Sequence, residues 1–151
     1  MFRRTGIVLA VVLLVSGAAW AQRDQKPTID VFKTSTCGCC KIWVEHLRSN
    51  GFTVKTTDVE DLSGIKAKHG VPSKLQSCHT GVVDGYVVEG HVPAADIHRI
   101  LKERPKVAGL AVPGMPIGSP GMEVKGVTPQ PFDVMAFEKG GKSTVYSSHN
   151  R

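Results

Sequence analysis

Thr36-Cys37-Gly38-Cys39-Cys40 places three cysteines in four residues, between an alternating segment and an amphipathic one. Ile29-Asp30-Val31-Phe32-Lys33 alternates apolar and polar residues and reads as a strand. Beyond the cysteines, Cys40, Trp43, Val44 and Leu47 recur at i, i+3, i+4 and i+7, one buried face of a helix from about Cys40 to Asn50. Gly51 is the expected stop. The cysteines therefore occupy the turn where a strand hands over to a helix.

Phe52-Thr53-Val54-Lys55-Thr56-Thr57 reads as a second strand, and Asp61 to His69 as a short helix closed by Gly70 and Pro72. Thr80-Gly81-Val82-Val83 and Tyr86-Val87-Val88-Glu89 flank Asp84-Gly85, which supplies the two positive-φ residues of a type I′ turn, so this is a hairpin. A helix from about Pro93 to Glu103 follows, with Ala95, Ile97, Ile100 and Leu101 apolar and Pro105 ending it. The expected architecture is α/β, in the order β-α-β-α-β-β-α. Ala111 to Pro131 is rich in Gly and Pro and is expected to be a long ordered loop. Phe132 to Phe137 and Ser143 to Tyr146, joined through Gly140-Gly141, predict a C-terminal β-hairpin.

Residues 1–21 read as a signal peptide: Arg3 and Arg4, an apolar stretch from Ile7 to Ala19, and Ala19-Trp20-Ala21 as the cleavage signal. The stretch is short for a membrane span, so cleavage after Ala21 is expected, with retention as a membrane anchor the alternative. Cleavage leaves residues 22–151 as a single domain of about 130 residues, with no membrane attachment, exported to a periplasm. Without Arg3 and Arg4 the formal charge falls from +6 to +4. The remaining basic residues are scattered, without a run or aromatic interleaving, which argues against a nucleic-acid partner.

All four cysteines, Cys37, Cys39, Cys40 and Cys78, lie in the mature part. A framework that staples a fold spreads its cysteines; here three are concentrated at one point. A helix N-terminus favours thiolate, so Cys37 is expected to be the exposed, reactive thiol and Cys40 the shielded one. Their i, i+3 relation permits a disulfide, and the pair is catalytic only if it is redox-active. Cys39 breaks the pattern. On the helix it shares a side with Ile42 and His46, but His46 is about 10 Å along the axis, beyond a shared ligand sphere. If its thiol turns to the loop, three sulfurs converge, a ligand set suited to Cu(I), zinc or iron–sulfur clusters. No second cysteine pair supports structural zinc, and an exported chain is a poor host for iron–sulfur assembly.

Cys78-His79 precedes the hairpin. In this order of elements, the loop entering the third strand faces the loop after the first. Thioredoxin-like proteins carry a cis-proline there; Pro72 comes too early, and Ser77-Cys78-His79 fills the place. That brings a fourth thiol and an imidazole to the site. Met122 and, more weakly, Met115 offer thioethers on the Gly/Pro-rich loop; the alternative for both is packing. His91 reads equally as a site residue or a helix-entry residue, Met135 as core, and His69, His98 and His149 as surface residues. Enclosing four thiolates with one Cu(I) leaves excess negative charge in protein, so a copper site of this kind is expected to take more than one ion.

The stretches Thr36 to Lys41, Val71 to Thr80, Gly85 to Pro93 and Gly109 to Glu123 together resemble CopG-type periplasmic copper-resistance proteins. The resemblance spans nearly all of the mature domain. It implies a thioredoxin-like fold, copper held by Cys37, Cys39, Cys40 and Cys78 with His79 taking part, and a role in copper resistance beside periplasmic copper chaperones or exporters. The leading expectation is a periplasmic protein that holds Cu(I) and couples copper handling to thiol redox change. The alternative is a thiol–disulfide oxidoreductase acting on protein substrates, which leaves Cys39 and Cys78 without a use. A third reading is an adaptor stapled by two disulfides. The sequence does not decide whether the chain is a copper- or thiol-dependent enzyme.

Overall fold

The computed structural model describes residues 26–151; the expected signal peptide lies outside them. The alternating first segment forms β1 (Thr28–Lys33), with Ile29, Val31 and Lys33 buried and Thr28 and Asp30 exposed. Helix α1 (Gly38–Ser49) follows and buries Cys40, Trp43, Val44 and Leu47, the face read from the sequence. It starts two residues earlier than expected, so Cys39 lies within its first turn. Then come β2 (Thr53–Asp58), α2 (Ser63–Lys68), a single 3₁₀ turn (Ser73–Leu75), β3 (Thr80–Val83), β4 (Tyr86–Glu89) and α3 (Ala94–Glu103). The expected β-α-β-α-β-β-α order is thus realised. Asp84 and Gly85 have φ of 46° and 86°, as a type I′ hairpin requires.

Three further strands complete the sheet: β5 (Gly109–Ala111), β6 (Phe132–Phe137) and β7 (Ser143–His149). The strand order is β2-β1-β3-β4-β5-β6-β7. β1 runs parallel to β2, β4 parallel to β5, and all other neighbours are antiparallel. The expected C-terminal hairpin is β6–β7, and it extends the same sheet through β5. The sequence reading contains no β5, because three residues are too few to show a period and both partners are distant in sequence.

Alternation along β4 separates the two cores. Val88 joins Trp43, Leu47, Ile97, Ile100 and Val134 in the larger cluster, while Val87 joins Val71, Leu75, Ala111 and Phe137 in the smaller one. β4 is buried along its whole length, so the sheet is covered on both faces at its centre. In α3 the buried residues are Ala94, Asp96, Ile97 and Ile100, whereas Ala95 is exposed. Asp96 is tolerated inside because β7 satisfies it: Ser147 Oγ donates at 2.7 Å and His149 Nε2 lies at 2.8 Å. His149 is accordingly half-buried and stacked on Phe132, not a plain surface residue. Among the described residues no helix is long and apolar enough to cross a membrane.

Candidate metal centre

The site begins at the end of β1. Cys37 is the N-cap of α1 in extended conformation, and its Sγ accepts a hydrogen bond from the Cys40 N–H at 3.3 Å. Sulfur here takes the capping role usually filled by a side-chain oxygen. Cys37 and Cys40 are joined as a disulfide with their Cα atoms 5.3 Å apart, whereas Cys39 and Cys78 are free thiols. Cys37 is half-buried and Cys40 fully buried, the exposed-and-shielded arrangement expected from the helix face.

Cys39 Sγ comes within 3.6 Å of Cys37 Sγ. Helical Cα–Cβ bonds tilt towards the N-terminus, which carries this sulfur back to the turn and away from Ile42 and His46. His46 serves another element: its Nε2 accepts the Ala94 N–H at 3.1 Å and so caps α3.

Cys78 enters from the loop before β3. The sulfurs of Cys37, Cys39, Cys40 and Cys78 all lie within 4.8 Å of one another. Cys78 also belongs to a second group, with ring nitrogens of His79 and His91, within the same limit. Its Sγ is 3.2 Å from His79 Nδ1 and 3.1 Å from His91 Nε2. One thiol is therefore common to an all-sulfur group and a sulfur–imidazole group.

His91 owes its place to two constraints. It follows β4 directly, and its Nδ1–H donates to the Pro120 carbonyl at 2.8 Å. That bond fixes the tautomer and leaves the Nε2 lone pair facing Cys78, the usual way a protein orients a ligating imidazole. Of the two readings left open by the sequence, the structure selects the site.

Burial governs the protonation of the group. It pushes the Cys78 thiol up to about 11, with the neighbouring Cys39 adding in the same direction. It holds His91 below the usual imidazole range against the opposing Pro120 carbonyl. His79 is held well below that range, by burial first and His91 second. Both imidazoles are thus neutral near pH 7 and the Cys78 thiol is protonated. A metal ion binding there must displace that proton.

The donor set fits a soft or borderline ion, since thiolate and neutral imidazole are its preferred ligands. A further observation concerns His79 Nε2. It is buried with no hydrogen-bond partner among the described residues, in a ring whose centroid is 4.2 Å from that of Trp43. A buried, unpartnered nitrogen in native protein calls for a water or an ion.

The Gly/Pro-rich loop closes the centre. No regular element lies between Ala111 and Phe132, and the loop is held by its own bonds, such as Met122 N–H to the Ser119 carbonyl at 2.8 Å. Gly121 has φ of 89°, and a Cβ built there meets Cys39 O and Trp43 N at 2.9 Å and His91 Nδ1 at 3.3 Å. Only glycine lets the loop approach α1 so closely. Gly121→Ala should destabilise the protein by about 1–3 kcal/mol through strain and displaced contacts. Denaturant unfolding measures this, and unchanged stability would show that the loop does not press on α1. Met122, beside it, is half-buried, while Met115 is 52% exposed and does not belong to an enclosed centre.

Fold and site together define a small mixed α/β protein with a cysteine cluster able to hold a metal ion at the strand-to-helix turn. A family described as "Protein of unknown function, DUF411" matches residues 75–122. Two solved structures of copper resistance protein CopG are similar along most of their length. Form 2 is 47% identical, with TM-score 0.76 over 82% of this chain and 98% of that one. Form 1 is 48% identical, with TM-score 0.76 over 81% and 96%. The chain belongs to the CopG family. No curated protein sequence matches it.

Proposed function

We propose that this protein binds copper as Cu(I), more than one ion at a time, and contributes to copper resistance. The observation that carries the reading is the convergence of four sulfurs within 4.8 Å, joined through Cys78 to two buried imidazoles. Cys37, Cys39, Cys40, Cys78 and His79 are the proposed ligands, His91 joins them, and Met122 is a candidate on the closing loop. The printed name of the solved relatives, copper resistance protein, supports the choice of copper. Cu(I) accepts bridging thiolates, and matching ions to thiolates keeps the buried charge small. The order and directions of the first four strands, between Thr28 and Glu89, support a thioredoxin-like core within the expected mature domain. The apolar N-terminal stretch supports export to a periplasm, where copper ions, copper chaperones or exporters are the partners.

Titration of reduced, metal-free protein with Cu(I), followed by native mass spectrometry, should show more than one bound ion. Cys39→Ser should lower that number with the fold intact by circular dichroism. Saturation at a single ion, or a Cys39→Ser variant with full capacity, overturns the reading.

The Cys37–Cys40 disulfide favours a second function on the same residues, thiol–disulfide exchange. Reduction of a protein disulfide by the metal-free dithiol at rates above free glutathione supports it. Inertness in that assay leaves copper binding alone.

A further inference from the structure

Glu89, at the end of β4, is fully buried and has no direct contact with a sulfur of the metal centre. Its Oε1 accepts the Ser77 N–H at 2.7 Å, and its Oε2 accepts the Thr80 hydroxyl at 2.7 Å. Lys66, reaching in from α2 and buried as well, donates to Oε1 and to Thr80 Oγ at 3.1 Å. Ser77 and Thr80 are the two residues that flank Cys78-His79. One carboxylate therefore holds both ends of the segment that carries the shared thiol.

The surroundings reinforce this placement. Gly90 N–H donates to the His79 carbonyl at 3.0 Å. A Cβ at Gly90 would meet Ser77 Cβ at 2.6 Å, so only glycine admits the segment so close to β4. Ser77 Oγ donates to the Gly114 carbonyl at 2.5 Å and ties the segment to the closing loop. The next residue after Gly90 is His91, the second imidazole facing Cys78.

A buried ion pair is a poor way to gain stability, because apolar residues of similar volume pack there at no loss, whereas removing one partner leaves a buried charge. Its place directly behind Cys78-His79 points to another use. We propose that Glu89 and Lys66 are positioning residues for the metal centre: the carboxylate bracket across Ser77 and Thr80 sets where Cys78 Sγ stands relative to the other three sulfurs and the two imidazoles. This rests on the reading of Cys78 as a copper ligand. Glu89 positions the segment through hydrogen bonds, and Lys66 holds the carboxylate in place; neither touches the ion.

Two double variants separate bracket from charge. Lys66→Met with Glu89→Leu removes both. Lys66→Met with Glu89→Gln removes the charges but keeps an acceptor for the Ser77 N–H and a partner for the Thr80 hydroxyl. The first readout needs no copper: iodoacetamide modification of Cys78 relative to Cys39 in disulfide-containing, metal-free protein, resolved by mass spectrometry. Cys39 stands on α1, outside the bracket, and serves as the internal reference, because general loosening accelerates both thiols and equally so in the leucine and glutamine variants. The ratio should change by about tenfold in the leucine variant and by less than about twofold in the glutamine variant. Cu(I) affinity, from competition with a chromophoric chelator, should fall about tenfold in the leucine variant only. An unchanged ratio in the leucine variant, or equal changes in both variants, overturns the proposal. If the leucine variant does not fold, Thr80→Val decides: it removes one arm of the bracket, and an unaltered ratio overturns the proposal while a changed one supports it. If wild-type protein takes up no copper, the copper reading fails by itself and the modification ratio still decides the bracket.

Discussion

Reduced protein should bind Cu(I) about 10⁴ times more tightly than protein carrying the Cys37–Cys40 disulfide. Four-ligand thiolate and imidazole sites in small proteins bind zinc with roughly 10–16 kcal/mol, or about 3 kcal/mol per ligand if shared evenly. Joining Cys37 to Cys40 removes two of the four sulfurs and leaves Cys39, Cys78, His79 and His91. At about 1.4 kcal/mol per tenfold, losing two ligands of about 3 kcal/mol each corresponds to about four orders of magnitude. The number of ions held should fall as well, since fewer thiolates remain to bridge. The measurement is chelator competition on anaerobic samples, with and without prior reduction, followed by ion counting in native mass spectra. Equal affinity and capacity in both states would remove Cys37 and Cys40 from the ligand set and leave them as a separate redox pair.

Cys78→Ser should be the most damaging single ligand substitution, with copper affinity down by roughly a hundredfold or more. Cys78 is the thiol common to the four-sulfur group and the group containing His79 and His91. A serine hydroxyl is a hard and weak ligand for Cu(I). Cys39→Ser removes a sulfur from one group only and should cost less. Because Cys78 is half-buried and serine is close in volume, unfolding free energy should stay within about 1 kcal/mol of wild type. Equal losses in the two variants would contradict the sharing of Cys78 and would point to four independent sulfurs.

Much of the fold was legible locally. The faces of α1, the Asp84-Gly85 turn and the β6–β7 hairpin depend on residues close together in the chain, and period or turn chemistry reports them directly. β5 was invisible because it exists through pairing with β4 and β6, not through its own three residues. The burial of Asp96 in α3 has a similar origin. Asp96 is inside only because β7 brings Ser147 and His149 to it. A polar residue satisfied from a distant strand looks exposed in a linear pattern.

The candidate centre divides the same way. The spacing of Cys37, Cys39 and Cys40 and their place at a helix start were determined by the sequence, as was the suspicion that Cys78-His79 faces them. Helix geometry then turned Cys39 back towards Cys37, a consequence of the tilt of every helical Cα–Cβ bond. Only the tertiary structure recruited His91, through a hydrogen bond to Pro120 on a loop 29 residues away. Only it brought Lys66 and Glu89 together across 23 residues and set their hydrogen bonds on both sides of Cys78. Local sequence sets backbone conformation and the identity of possible ligands. Which of them share a sphere is decided by long-range packing, because burial and partner geometry are properties of the assembled sheet.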